Sequence, residues 1–434
     1  MTQELGPRKV IGLDSWTGGA NHYGRLVESF RKKGLELTLI HLGSWGADEG
    51  RPEKETIGNL KVRDISSYTR MSFPEILEQE KPSVVIFLSL HTFAHRAFNR
   101  YCHIYKVPTI HLYHGLVGVQ HVSDGSTCKV RPAAQMRFIA DRIMKALKYV
   151  WPIYMGSLWR SGASAGDWLQ FLRDIVAGAI GSRTRTFAKD ARADMCCVYA
   201  DPDINHAVRR YGYAKKDVIV VGNPDLLAFG LRSDILGSQL SQAPGDRPDV
   251  MYADTGLVYT GYVFSSEEEF VRHMITTRGQ LESQGKHLIF KPHPQHLMNA
   301  SVISSLIDEG VDICSNADFL PRLKKCCACI CEPTSISVIP ALLGMPLFLA
   351  NYGCLKEQRY GEVVTSYPRA SLLSDVRDLS SLLENGQAGF DPVHVRQWIE
   401  HNAGPLPPEE MPDRVVEVVL SLIEENAVSG IHLV

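Results

Sequence analysis

Two short segments of the chain carry the groups that bind phosphate in proteins. In Lys291-Pro292-His293-Pro294, two prolines stiffen a turn that carries a cation and an imidazole. In Glu332-Pro333-Thr334-Ser335, hydroxyls precede a predicted helix whose N-terminal N–H groups and dipole favour negative charge. Taken alone, the first segment is also a plain proline-stiffened turn and the second an ordinary helix cap. Because both follow predicted strands, together they predict a site for a phosphate-bearing ligand.

Four other residues at predicted strand ends have side chains that can transfer protons or stabilise developing charge. His114, followed by a glycine, is a candidate general base or phosphate donor. Asp14 ends the first predicted strand, and the nearby Gly18-Gly19 pair would let backbone approach a ligand closely. Asp225 and Asp254 end the last strand of the first half and the first strand of the second. Each also has a purely structural interpretation, as a buried histidine or a turn aspartate.

The sequence lacks the motifs of several common cofactor sites. Neither the GxGxxG dinucleotide fingerprint nor the GxxxxGK[ST] phosphate loop is present, so neither a nicotinamide cofactor nor ATP hydrolysis is expected. The run Cys326–Cys331 lacks paired CxxC spacing and contains small apolar residues, which is typical of a buried strand. We therefore predict a strand there and no bound metal.

These candidate residues require a scaffold that brings strand ends together. Short runs rich in Val and Ile alternate with amphipathic stretches, a pattern typical of βαβ units and parallel sheets. One amphipathic helix is predicted over His22–Lys33, with Tyr23, Leu26, Val27 and Phe30 on its buried face. Strands are predicted at residues 9–13, 35–42, 83–88, 109–113, 195–199 and 217–221, and then at 250–253, 287–291, 311–314, 327–331 and 347–350.

A polar stretch, Ser238–Pro248, separates two such alternating series. The expected fold is α/β, with two Rossmann-like doubly wound domains over residues 1–240 and 241–434. In sheets of this kind ligands bind outside the carboxyl ends of the strands. The predicted site therefore lies in a cleft between the two domains.

Residues 129–189 interrupt the alternation with helical pattern and little strand signal. This stretch has a net charge of +8, and aromatic residues including Trp151, Tyr154, Trp159 and Trp168 are interleaved with its basic residues. One interpretation is contact with an anionic membrane or glycan. The other is a structural insertion with aromatic core residues and solvated charges, which is the commoner arrangement.

The composition excludes several classes of protein. The chain has 434 residues, 44% hydrophobic and 22% charged, which indicates a globular protein. Its net charge of −2 provides no global attraction for nucleic acid. No signal peptide or stretch of about 18 apolar residues is present. We expect a cytoplasmic protein, with peripheral contact at the inner membrane as one interpretation of the basic stretch.

The order of the strand-end motifs resembles that of bacterial GT-B glycosyltransferases of the capsule, teichoic-acid and Kdo-transferase group. The resemblance covers about Thr109 to Tyr352. The motifs that carry it are His114-Gly115, Gly222-Asn223-Pro224, Tyr252-Ala253-Asp254-Thr255, Lys291-Pro292-His293-Pro294 and Thr334-Ser335. In CDP-glycerol glycerophosphotransferases the comparable histidines serve catalysis and donor phosphate binding, and sialyl- and Kdo-transferases carry similar motifs for CMP. The resemblance thus implies a cytidine-nucleotide donor.

The resemblance also implies roles for the candidate residues. Lys291, His293, Thr334 and Ser335 would bind the donor phosphate, and Glu332 the ribose hydroxyls. Asp14 or His114 would accept the proton of the acceptor hydroxyl in an inverting reaction. A retaining reaction would need a carboxylate nucleophile, Asp225 or Asp254. No metal is implied, because cations and a helix dipole can neutralise the leaving nucleotide.

The sequence departs from the glycerophosphotransferase pattern at two places. Asp225 stands where those enzymes usually have arginine, and Asp254-Thr255-Gly256-Leu257 lacks their Trp-Arg. A carboxylate suits a sugar whose anomeric carbon becomes positive, so a CMP-activated acidic sugar, Kdo before sialic acid, is the preferred donor. The expected acceptor is a glycan or lipid-linked glycan of the bacterial surface.

Three alternatives stay open at this point. The first is a CDP-glycerol or CDP-ribitol transferase. The second is a UDP-N-acetylhexosamine 2-epimerase, which needs no acceptor. The third is a non-catalytic subunit that binds a nucleotide sugar or a glycan.

Overall fold

The computed structural model describes residues 8–45, 51–113, 146–180, 189–240, 247–254, 264, 266–293, 300–333, 335–352, 355, 360–385 and 391–431. The described chain divides into two compact units. The first contains the described residues up to 113, then 146–224 and 409–431; the second contains the described residues of 225–408. The division therefore falls after Pro224 and not at residue 240, and the last helix belongs to the first unit.

The first unit contains, within the described residues, an eight-stranded sheet in the order β3-β4-β2-β1-β5-β6-β7-β8. Its neighbouring strands are parallel except for the antiparallel pair β3–β4. The strands are β1 (Arg8–Asp14), β2 (Leu35–His41), β3 (Lys54–Ile57), β4 (Leu60–Asp64), β5 (Val84–Phe87), β6 (Thr109–Leu112), β7 (Met195–Val198) and β8 (Val218–Val220).

Helices cover both faces of this sheet, so the central strands are apolar on both sides. In β5, Val84 and Ile86 belong to one core and Val85 and Phe87 to the other, with the period of two expected of a strand. The helices are α1 (Trp16–Tyr23), α2 (Val27–Lys32), α3 (Phe73–Glu80), α4 (Phe93–Ile104), α5 (Trp151–Arg160), α6 (Ala165–Ile180), α7 (Asp201–His206), α8 (Pro224–Ala228) and, from the end of the chain, α16 (Met411–Ile431). All but α8 lie wholly in the first unit; α8 begins at its last residue, Pro224.

The single helix predicted over His22–Lys33 is two helices, α1 and α2, separated by a turn. Its predicted apolar face is nevertheless buried. The Gly18-Gly19 pair lies inside α1, where a Cβ on Gly19 would approach Leu39 of β2 to 2.6 Å. The interpretation of this pair as a flexible ligand-approach loop is therefore wrong, because Gly19 permits close packing of α1 on the sheet.

The second unit contains, within the described residues, a six-stranded sheet in the order β11-β10-β9-β12-β13-β14, parallel throughout. The strands are β9 (Asp249–Ala253), β10 (His287–Lys291), β11 (Asp312–Ile313), β12 (Cys326–Cys331), β13 (Leu347–Ala350) and β14 (Ala370–Leu373). Its helices are α9 (Glu267–Glu282), α10 (Ala300–Asp308), α11 (Phe319–Leu323), α12 (Val338–Leu343), α13 (Glu362–Thr365), α14 (Leu379–Asn385) and α15 (Pro392–Asn402), together with most of α8.

Two parallel sheets covered by helices confirm the predicted α/β fold with two Rossmann-like domains. The strand predicted at the cysteine run is also confirmed, since every residue of β12 is buried. Among the described helices, none combines the length and apolarity needed to cross a bilayer.

Candidate functional site

Three neighbouring strands of the second unit end at the same level of the sheet. The register places Ala253 of β9 opposite both Lys291 of β10 and Cys331 of β12. Asp254, Pro292-His293 and Glu332, which directly follow these strand ends, therefore lie at one edge of the sheet. This is the carboxyl edge, where doubly wound sheets bind ligands.

Asp254 is buried and holds the turn that follows β10. Its backbone N–H donates to the carbonyl oxygen of Lys291 at 3.2 Å. Its Oδ2 accepts a hydrogen bond from the backbone N–H of His293 at 3.0 Å. The carboxylate of Asp254 thus fixes the position from which the His293 imidazole projects.

Lys291 places a buried cation at the same edge. The residue is only 3% exposed, and its Nζ donates to the carbonyl oxygen of Pro292 at 2.9 Å. The ammonium also lies 5.9 Å from the centre of the Phe319 ring. Burial lowers the pKa of Lys291, while the nearby Cys314 and Asp254 act in the opposite direction.

Glu332 is held from two sides. Its backbone N–H donates to the carbonyl oxygen of Ala253 at 3.1 Å, and its Oε1 accepts from the hydroxyl of Tyr252 at 2.9 Å. That hydroxyl also bonds to the hydroxyl of Tyr352. Burial, followed by the charge of Glu332, raises the pKa values of both tyrosines, so both remain protonated donors.

His273, on α9, is a site neighbour that the sequence did not indicate. Its ring lies 4.5 Å from that of Tyr352 and 5.1 Å from that of Phe264, between centroids. Burial lowers the pKa of His273 to about 4, and its buried Nε2 has no hydrogen-bond partner among the described residues. In the sequence it is one more residue of an amphipathic helix, so only tertiary packing distinguishes it.

The structure describes only part of the remaining predicted site residues of the second unit. Thr334 lies outside the described residues. Ser335 begins a 3-10 turn, Ser335–Ser337, that leads into α12, and its side chain lies outside the description. Asp225 is the second residue of α8, with the same limit on its side chain.

At the carboxyl edge of the first unit, Asp14 ends β1 and lies near a histidine of α4. The Asp14 Oδ1 is 3.8 Å from Nε2 of His95. The hydroxyl of Thr92 caps α4 by accepting from the backbone N–H of His95, and it lies 2.5 Å from the other ring nitrogen, Nδ1. His95 was not among the predicted residues; the capping threonine three positions before it was the available signal.

His114 lies outside the described residues, but Tyr113 immediately before it belongs to a group of histidines and tyrosines. The Tyr113 hydroxyl is 3.1 Å from Nδ1 of His206. The hydroxyl of Tyr211 is 2.7 Å from Nε2 of His91. Burial, then Arg210 and His91, lowers the pKa of His206 to about 4.

A cavity of about 680 Å³ opens elsewhere on the first unit. Its lining includes Arg100, His103, Arg160, Asp190, Arg192 and Asp217, and none of the described predicted site residues. Several of its charges already pair with one another, as in the 3.0 Å contact between Arg100 Nη2 and Asp190 Oδ2. Within the described residues, no group of three or more His, Cys, Asp or Glu side chains is arranged to hold a metal ion.

Comparison with solved structures assigns the chain to the GT-B fold. The wall teichoic acid polymerase TagF, in a variant soaked with CDPG, matches with a TM-score of 0.53 and 11% identity, over 97% of this chain and 90% of TagF. A putative UDP-N-acetylglucosamine 2-epimerase from Listeria monocytogenes matches with a TM-score of 0.51 and 13% identity, over 96% and 97% of the two chains.

MnaA from S. aureus, solved with UDP, matches with a TM-score of 0.50 and 14% identity, over 96% of this chain and 97% of MnaA. The chain matches no protein-family model and no curated protein. At these identities the likeness establishes the fold and leaves the reaction to be argued from the site.

Proposed function

We propose that this protein is a glycosyltransferase that takes its sugar from a cytidine-nucleotide donor. The observation that carries the proposal is the group of Asp254, Lys291, His293 and Glu332 at the carboxyl ends of three neighbouring parallel strands. The likeness to TagF soaked with CDPG supports cytidine as the base.

In this proposal the second unit binds the donor. His293 contacts the phosphate, and the buried ammonium of Lys291 adds a positive field that water screens weakly. Glu332, held by Tyr252, accepts hydrogen bonds from the ribose hydroxyls. Thr334 and Ser335 complete the phosphate contacts through hydroxyls and backbone N–H groups.

The first unit would supply proton transfer. Asp14 and His95 form an acid–imidazole pair at the end of β1, an arrangement in which the carboxylate can orient the imidazole. His114 remains the other candidate base. Asp254 accepts a hydrogen bond from the backbone of His293, which supports a positioning role for this carboxylate. If the reaction retains anomeric configuration, Asp225 is then the preferred nucleophile.

The narrower proposal concerns the donor sugar. Asp225, in place of the arginine of glycerophosphotransferases, favours a CMP-activated acidic sugar of the Kdo type. The acceptor would be a growing surface glycan or its lipid-linked precursor.

A second reaction has a specific observation in its favour, namely the likeness to the putative 2-epimerase and to MnaA with UDP. The two reactions differ in their need for an acceptor. A transferase releases CMP, whether from a CMP-activated sugar or from a CDP-alditol whose alditol phosphate is transferred, at a rate that depends on added acceptor glycan. A 2-epimerase converts UDP-N-acetylhexosamine with no acceptor present, and that result would replace the proposal.

A further inference from the structure

We propose that the helical hairpin formed by α5 and α6 binds the surface of an anionic lipid bilayer. This goes beyond the proposed transfer reaction and requires no nucleotide. Its basis is an exposed apolar stripe on each helix, with basic side chains beside it, on a hairpin held to the first unit by apolar packing and a buried ion pair.

Each helix of the hairpin exposes apolar side chains at helical spacing. On α6 the exposed positions Ala165, Leu169, Leu172 and Val176 follow a spacing of four, three and four residues. On α5 the exposed positions are Pro152, Met155 and Trp159, and Trp159 is 81% exposed. An indole with this exposure packs little against the described protein and is typical of residues that enter the headgroup region of a membrane.

The opposite side of the hairpin is fixed to the body of the first unit. Tyr154, Leu158 and Phe171 are buried in the core beneath the sheet. Arg96 of α4 donates to Asp174 Oδ2 at 2.7 Å, to the Tyr154 hydroxyl at 2.8 Å and to Asp190 at 3.0 Å. The aromatic residues thus divide between core and surface, and the apolar stripes are presented on a rigid support.

The charges of the hairpin complement an anionic surface. Over residues 147–176 the exposed charged side chains are Lys148, Arg160 and Arg173. The two acidic residues of this segment face arginines of α4: Asp174 is paired with Arg96, and Asp167 lies 4.0 Å from Arg100. The sequence immediately before and after the hairpin is also rich in Lys and Arg. A bilayer is the occupant that matches this combination, because amphipathic helices with basic and indole side chains bind anionic lipid interfaces.

The test uses the full chain without nucleotide. Sedimentation with vesicles of phosphatidylglycerol and phosphatidylcholine should bring the protein into the pellet at low salt, and added salt should release it. Vesicles of phosphatidylcholine alone should bind it weakly. Bromine-labelled lipids should quench fluorescence of the wild type more than that of Trp159→Phe, because Trp159 would enter the interface.

Two pairs of variants distinguish vesicle binding by this surface from nonspecific binding by exposed side chains elsewhere. Leu172→Ser with Val176→Ser should weaken vesicle binding about tenfold. The control is Ile307→Ser with Val393→Ser, in the second unit. These two side chains are 55% and 60% exposed, similar to the 57% and 55% of Leu172 and Val176. Replacing Lys148, Arg160 and Arg173 with Gln should weaken binding about a hundredfold, whereas Gln at the exposed Lys32, Lys33 and Lys54 should change it little.

Each outcome of these experiments either supports or overturns the proposal. Binding that depends on anionic lipid and on the hairpin residues supports the proposal, whether or not any nucleotide binds. Lack of vesicle binding at low salt overturns it, as does equal weakening by the hairpin and control variants. A concentration-dependent dimer that Leu172→Ser with Val176→Ser abolishes, without vesicle binding, would assign the face to a second copy of the chain.

Discussion

The carboxylate of Asp254 accepts a hydrogen bond from the backbone N–H of His293 at 3.0 Å, across the ends of two paired strands. A side chain that follows one strand therefore fixes the turn that follows its neighbour. The Lys-Pro-His turn is stiffened within its own segment by proline and from outside by this carboxylate. In the proposed function, this contact positions the donor-binding imidazole.

Removal of the Asp254 oxygen should therefore weaken nucleotide binding. We expect Asp254→Ala to cost about 1–3 kcal/mol of donor binding free energy, measured by calorimetry, because the turn loses its acceptor. Asp254→Asn retains an oxygen at this position and should recover most of the affinity. Loss of turnover in Asp254→Asn, with nucleotide binding still normal, would mean that the carboxylate acts in the chemistry and that the positioning role is wrong.

His293→Ala should weaken donor binding by about 1–3 kcal/mol through loss of a charge-assisted contact. The matched control is His287→Ala, which removes an exposed histidine at the start of β10, the strand that His293 follows. His287→Ala should leave the calorimetric affinity unchanged. Equal affinities for the two variants would remove His293 from the donor site.

Tyr252→Phe deletes the hydroxyl that donates to the buried Glu332. We expect a decrease of about 1–3 kcal/mol in the free energy of unfolding, measured by urea denaturation. Tyr105→Phe deletes a similar bond, 2.7 Å long, from a tyrosine hydroxyl to Glu78 at the surface, and should cost about 0–1 kcal/mol. Equal losses would mean that the buried hydrogen bond to Glu332 stabilises the fold no more than the surface bond to Glu78.

The buried imidazole of His273 should make stability depend on pH. Its pKa is lowered to about 4 in the folded protein, so the unfolded chain binds this proton first as the pH falls. Stability is therefore lost between about pH 6.5 and about pH 4, by an amount on the order of 1–3 kcal/mol.

His273→Phe keeps an aromatic ring beside Tyr352 and removes the titrating group. The dependence of unfolding free energy on pH in this interval should become shallower in His273→Phe than in the wild type. His394→Phe replaces a histidine whose side chain is 68% exposed and should leave the slope as it is. An unchanged slope in His273→Phe would contradict the depressed pKa.

Gly12 is the glycine of β1 that allows the Tyr23 ring to cross the strand. A Cβ at this position would approach the ring to 2.5 Å, and the ring is fixed by the bond from its hydroxyl to the Ile86 carbonyl oxygen at 2.7 Å. Gly12→Ala should lower the free energy of unfolding by about 1–3 kcal/mol. Gly279→Ala lies in α9, and apart from its own helix no atom of the described residues comes within 4 Å of the added Cβ, so this variant should raise it by about 0.5–1 kcal/mol. The two variants, measured by thermal or urea denaturation, should move in opposite directions.

The strands that the sequence predicts are those with a clear physical signature. Buried parallel strands such as β5 and β12 are apolar throughout. In the second unit, the candidate residues that follow β9, β10 and β12 lie at one edge because these parallel strands end at the same level. The strands that were missed, β3, β4 and β14, contain charged or exposed residues and lack a continuous apolar run.

Other features depend on packing between segments that are distant in sequence. The apolar residues of α16, among them Met411, Val415 and Val419, predict a buried helical face, but the core that they join is that of the first unit. His95 and His273 lie on helices, where the pattern indicates a buried side and cannot indicate which strand end it meets. The sequence therefore predicts which strand ends meet at the edge of a sheet, but not which helical histidines pack beside them.

The central claim is that the second unit binds a cytidine nucleotide, and isothermal calorimetry of the full chain tests it most directly. CMP, CDP, UDP, UMP and GDP would be titrated into wild type, His293→Ala and His287→Ala. We expect CMP to bind, with CDP as the outcome for an alditol-phosphate donor. The affinity should fall in His293→Ala and stay unchanged in His287→Ala. Binding of UDP alone, or of no nucleotide at all, would contradict this claim.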